Sequence, residues 1–149
     1  MRRSAMFTDA GAMGCQAARC LIVDDSAGFR DAARTMLLRA GAAVVDAVSN
    51  SAEALKSFAK LRPDITLVDI DLGVESGFDL AERLCRIGWS KPPAVILISS
   101  HAEQDFLELI DSSPAVGFLS KFDLTPCSIA ELVCSQSDSL GHVNEPPGT

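Results

Sequence analysis

Three things are missing from this chain, and each absence removes a class of function. There is no cluster of Lys and Arg: Arg2-Arg3 is the only adjacent basic pair, and the net charge is −7. That balance excludes a surface built to neutralise nucleic-acid phosphates, and the acidity serves solubility. There is no apolar run near the ~20 residues needed to span a bilayer, so no membrane contact is expected. Arg2-Arg3 is followed by small residues, but Asp9 and Gln16 interrupt any signal-peptide core. Ala12-Met13-Gly14-Cys15 matches a lipoprotein cleavage site only faintly, because the preceding apolar segment is lacking. Residues 1–17 are therefore expected to be a flexible extension, or to precede a later start codon. Finally, there is no cysteine pairing pattern. Cys15, Cys20, Cys85, Cys127 and Cys134 are odd in number, show no CxxC, and stand at no zinc-ligand spacing from His101 or His142. Cys20 and Cys85 lie in apolar surroundings, where a thiol acts as a small hydrophobe. A reducing, cytoplasmic setting follows as the expectation.

What is present is one domain's worth of sequence, 149 residues with an ordinary apolar fraction. Short β-rich runs at 20–24, 43–48, 64–69, 94–98 and 116–119 alternate with helical runs at about 27–40, 51–61, 77–87, 101–111 and 127–136. Such alternation implies parallel βαβ units, and near-continuous apolar strands imply helices on both faces. Phe29, Ala33, Met36, Leu37 and Ala40 recur at helical spacing, with Gly41 as the expected left-handed cap. Asn50 with Glu53, and Ser100 with Glu103, form expected capping pairs. Arg62-Pro63 should end the second helix, and Thr125-Pro126 should start the fifth. Residues 18–136 thus form the expected domain, and the polar 137–149, with Pro146-Pro147-Gly148, a flexible tail. Five such units predict an α/β doubly wound parallel sheet of order 2-1-3-4-5, with a crevice beyond the carboxyl ends of strands 1 and 3. A closed eight-unit barrel needs a longer chain.

The strand ends hold the chemistry. Asp24-Asp25 follow the first apolar run, Asp69 closes the third, Ser99 follows the fourth, and Lys121 stands just after the fifth. Like charges 4 Å apart repel by about 4 kcal/mol at an effective dielectric near 20. A fold keeps such a carboxylate cluster when a cation neutralises it or one member holds a proton. All-oxygen ligands with incomplete protein coordination favour Mg2+. A carboxylate can also act as a nucleophile and become an aspartyl-phosphate. That makes Asp69 a candidate acceptor, with Lys121 to neutralise a phosphate oxygen and Ser99 to donate to one. Taken singly, each residue has a plainer explanation as a helix cap, a turn residue or a solvated charge. Their joint placement on four strand ends is the signal.

In these residues and their intervals the chain resembles the receiver domain of two-component response regulators, over roughly residues 18–136. The resemblance implies a flavodoxin-like fold in which Asp69 accepts a phosphoryl group from a phosphohistidine on a sensor histidine kinase or phosphotransfer protein. It implies a Mg2+ site built from Asp24, Asp25, Asp69 and the backbone carbonyl of Asp71. It assigns switching to Ser99 and Phe118, and docking of a downstream protein to the face of helix 4, strand 5 and helix 5. Asp71 and His101 fall where this family tunes phosphate lifetime. Leu72-Gly73 replaces the family's Met-Pro, Phe122 the Pro after the Lys, and Ser99 the commoner Thr. No output domain and no enzymatic activity beyond self-catalysed phosphorylation and dephosphorylation are expected, and homodimerisation is left open. Two other readings are kept. One is a phosphorylation-independent adaptor; the other is an aspartyl-phosphate phosphohydrolase, suggested by Asp69-Ile70-Asp71.

Overall fold

A computed structural model describes residues 17–87, 94–101 and 103–134. The expected tail at 137–149, nearly all of the extension at 1–17, and the last two positions of the fifth expected helix lie outside the described residues.

The five expected strands form one parallel sheet. They are β1 (Arg19–Val23), β2 (Val44–Val48), β3 (Ile65–Asp69), β4 (Ala94–Ser99) and β5 (Gly117–Ser120), in the spatial order β2-β1-β3-β4-β5. The helices are α1 (Ala27–Arg39), α2 (Ser51–Leu61), α3 (Gly77–Arg86), α4 (Leu107–Ser112) and α5 over 126–134. β1, β3 and β4 are apolar on both faces because both faces are covered. Cys20, Ile22, Ile65, Leu67, Ile96 and Ile98 pack against Ala33 and Leu37 of α1 and Ile129 of α5. The alternate residues Leu21, Val23, Val68, Val95 and Leu97 meet Phe58 of α2 and Leu80 and Leu84 of α3. At about 25 cal/mol per Å2 of apolar surface removed from water, these two layers supply the main drive to fold.

Local chemistry sets the element ends. Ser26 Oγ accepts from Phe29 N at 3.3 Å to start α1, and Gly41 follows that helix at φ 102°. Asn50 Oδ1 accepts from Glu53 N at 2.9 Å, while the Glu53 carboxylate reaches back to Ser49 N at 3.2 Å, one residue beyond the usual capping box. Arg62 closes α2 in the left-handed region at φ 51°. Thr125 Oγ1 accepts from Ser128 N at 3.0 Å, and Ser128 Oγ accepts from Thr125 N at 2.9 Å, a reciprocal cap for α5.

One expectation is corrected. The helix expected over 101–111 is a 3-10 turn, Glu103–Phe106, followed by the short α4, whose cap position Phe106 makes no side-chain cap bond. Ser99 rather than Ser100 shapes the entry, its Oγ accepting from His101 N at 2.9 Å. The physical reason is the lack of an inward apolar stripe: α4 buries no residue, and Leu107 and Leu109 are exposed.

Candidate functional site: an acidic pocket at the sheet's carboxyl edge

β1 and β3 are neighbours, paired through Val23 opposite Val68, so the residues that follow them arrive side by side. Asp24, Asp25 and Asp69 each present a carboxylate oxygen, and the three oxygens lie within 4.8 Å of one another. Asp24 is fully buried, Asp69 is nearly so, and Asp25 is exposed. Lys121, just beyond β5, reaches over the edge of the sheet. Its Nζ stands 2.6 Å from Asp24 Oδ2 and 3.1 Å from Asp69 Oδ2, and 4.4 Å from the centre of the Phe29 ring.

Each buried carboxylate divides its oxygens between two tasks. Asp24 Oδ1 accepts from Ser26 N at 2.8 Å, forming the turn into α1, while its backbone carbonyl accepts from Arg30 Nη1 at 2.7 Å. Its Oδ2 meets the ammonium as a charge contact but accepts no well-angled hydrogen bond. Asp69 Oδ1 accepts from Asp71 N at 3.0 Å, and its Oδ2 faces Lys121. Burial pushes the Asp69 carboxyl from its ordinary 3.8 up to about 6; the Asp71 amide opposes this, Asp24 adds to it, and Lys121 opposes it. Burial alone would lower Lys121, but Asp24 and Asp69 outweigh it and hold the ammonium above its usual range.

Three carboxylates against one ammonium leave about two negative charges in a cleft of hard oxygen donors. That donor set fits a divalent cation. Asp25 is exposed and its side chain has no ion-pair or hydrogen-bond partner among the described residues, which leaves its carboxylate open to such an ion.

The other expected residues lie at different distances from this centre. Ser99 ends β4 beside β3, where Asp69 pairs with Ile98. It is buried, and its hydroxyl is engaged by His101 N. Phe118 pairs with Leu97 and packs on the α2–α3 side of the sheet, one layer below the strand ends. His101 is exposed, with its ring edge-on to Phe106 at 6.1 Å between centroids. Asp71 turns its side chain to Gly73 N at 3.3 Å and offers its backbone to Asp69.

Sequence reasoning missed three participants. Phe29, read only as part of a helical stripe, is the platform under Lys121. Arg30 braces the carbonyl of Asp24. Gly77 lets the chain pass against β3: a Cβ there would stand 2.0 Å from the carbonyl oxygen of Asp69. The available signal for Gly77 was a glycine directly after Ser76, at the start of a helix it does not favour.

Residues 20–133 match the response regulator receiver domain family, and the chain belongs to it. Among curated proteins, the protein-glutamate methylesterase/protein-glutamine glutaminase of Archaeoglobus fulgidus is 33% identical over 107 residues, covering 70% of this chain and 30% of that protein. Chemotaxis protein CheY of Thermotoga maritima is 33% identical over 82 residues, covering 55% of this chain and 66% of that protein. The chain therefore spans less than two thirds of the length of either relative. Among solved structures, chemotaxis response regulator CheY4 of Vibrio cholerae shares the fold, with TM-score 0.67 and 23% identity over 79% of this chain and 97% of that one. No helix among the described residues is long and apolar enough to cross a membrane.

Proposed function

We propose that Asp69 accepts a phosphoryl group from a phosphohistidine on a sensor kinase or phosphotransfer protein, in a Mg2+-dependent step that changes which protein this domain binds. The supporting observation is the Asp69 carboxylate: buried, with Oδ1 pinned by the Asp71 amide and Oδ2 3.1 Å from the Lys121 ammonium. An Asp69 oxygen attacks phosphorus, the P–O bond forms as the P–N bond breaks, and the imidazole leaves with the electron pair. Fixing the carboxylate in advance removes orientational freedom that the reaction would otherwise have to restrict. Lys121 balances charge on a transferred oxygen. Asp24, Asp25, Asp69 and the Asp71 carbonyl would hold Mg2+, which when bound neutralises negative charge on the phosphoryl group.

Phosphate adds about −1.5 to −2 charge and three acceptor oxygens. It shifts a conformational equilibrium only through contacts that differ between two states. Ser99, whose hydroxyl accepts from His101 N, would exchange that bond for one donated to a phosphoryl oxygen. Phe118, half-buried on the neighbouring strand, is the aromatic that would follow that movement. The surface a downstream protein would read is the α4–β5–α5 side, a reading supported by the exposed Leu107 and Leu109 of α4.

The test is intact-mass measurement after incubation with acetyl phosphate and Mg2+, and with phosphorylated kinases as donors. One phosphoryl adduct is expected, absent with EDTA and absent in Asp69→Asn. No adduct from any donor favours the phosphorylation-independent adaptor. Steady turnover of diverse phosphate esters favours the phosphohydrolase.

A further inference from the structure

The segment after β3 has to place the Asp71 backbone accurately, yet little of its own structure can do so. It is a two-residue antiparallel ladder, Asp71–Leu72 against Glu75–Ser76, turning at Gly73 with φ 76° and at the fully exposed Val74. A ladder that short has no independent stability. Its base is held: Gly77 N donates to Ile70 O at 2.9 Å, and Ser76 Oγ caps α3 by accepting from Phe78 N and Asp79 N. The side nearer its tip is held by the apolar Leu72, buried in the core layer with Phe58 and Leu80, and by one polar side chain. Glu75 Oε1 accepts from Ser51 N at 2.8 Å, across a gap of 24 residues.

That amide is a special partner. Ser51 is the first residue of α2 and is buried, and its N–H lies outside the helical ladder. Asn50 serves Glu53 N instead. A carboxylate here gains a charge-assisted bond and the positive end of the helix dipole. Among the described residues this is the one side-chain hydrogen bond that ties Asp71–Ser76 to an element other than the adjoining α3.

We infer that Glu75 is a positioning residue for the Asp69 pocket. By bonding the first amide of α2, it fixes the short ladder and so the Asp71 backbone that serves Asp69. Its effect on Mg2+ and phosphoryl chemistry rests on the function proposed above; its effect on the Asp71 amide does not. The rival explanation is that Glu75 only caps α2.

Backbone amide exchange by NMR on the metal-free protein separates these. In Glu75→Ala, exchange at both Ser51 and Asp71 is expected to speed up about tenfold, the loss of one charge-assisted bond. Binding of Mg2+ alone, followed by titration, is expected to weaken by a similar factor. In Glu75→Gln, which keeps an acceptor oxygen, both amides stay protected and Mg2+ binding stays close to that of the parent. If Glu75→Ala releases only Ser51 and the first turn of α2, the residue is a cap and the inference fails. It fails equally if neither amide changes, or if Glu75→Gln behaves as Glu75→Ala does. A parent protein that binds no Mg2+ and takes no phosphate would overturn the proposed function, while the Asp71 amide would still decide the role of Glu75.

Discussion

Asp69 is a buried acid held at a charge it would not choose alone. Its folded pKa is raised to about 6 from 3.8, chiefly by burial. The folded protein therefore binds this proton more tightly than the unfolded chain. The stability so gained is present below the ordinary pKa and is lost as pH rises through about 6. Asp69→Asn cannot titrate, so without Mg2+ it should be more stable than the parent at pH 7.5, by up to about 3 kcal/mol. The gain should shrink towards zero near pH 4. Thermal melts across that range check this, and a pH-independent difference would contradict it. Lys121 gives the opposite result. Its side chain is 18% exposed and touches two carboxylates. Lys121→Ala leaves those charges facing each other and should cost about 2–4 kcal/mol. Added Mg2+ should stabilise this variant more than it stabilises the parent, which melts with increasing MgCl2 would read directly.

At the level of elements, the geometry behind Asp69 depends on the absence of a single methyl group. Gly77 opens α3 where the chain doubles back on β3, and an added Cβ would lie 2.6 Å from Ile70 Cα. Gly77→Ala should destabilise by about 3 kcal/mol or more, because backbone rather than a side-chain tip must yield. Gly28 in α1 is the matched control, since a Cβ there meets nothing within 4 Å. Gly28→Ala should be stabilising by up to about 1 kcal/mol through helix propensity. Urea unfolding of the two variants checks the contrast.

The elements also divide sharply in how well the sequence announced them. β1, β3 and β4 are covered on both sides, so their near-continuous apolar runs read as central strands. α1 carried a stripe and a glycine stop, and α2 a capping pair and a proline stop. α4 misled because capping residues were present without an inward apolar stripe, and tertiary contacts of Phe106 with Phe78 and His101 govern that segment instead. The two-residue ladder at Asp71–Ser76 left no periodic trace at all.

For the whole molecule, the proposed site lies where topology reverses. β1 and β3 lie side by side only because the chain leaves β1 for the outer strand β2 and returns on the other side. That reversal brings Asp24 and Asp25 to Asp69, and the last strand delivers Lys121. The carboxylates and the lysine were legible because they are charged residues ending apolar runs. Their supports were not. Phe29 and Arg30 look like any helix residues, and Glu75 like any loop acid, until the fold places them against Lys121, Asp24 and Ser51. Such contacts depend on three-dimensional approach between segments, which one-dimensional spacing does not encode.

The central claim is that Asp69 itself receives the phosphoryl group. Treating the acetyl phosphate- and Mg2+-incubated protein with borohydride reduces an aspartyl-phosphate to homoserine, which peptide mass spectrometry then locates. Homoserine at residue 69, and its disappearance when EDTA precedes the donor, is the expected result. Homoserine at another aspartate, or none at residue 69 in protein that carries a phosphoryl adduct, would contradict it.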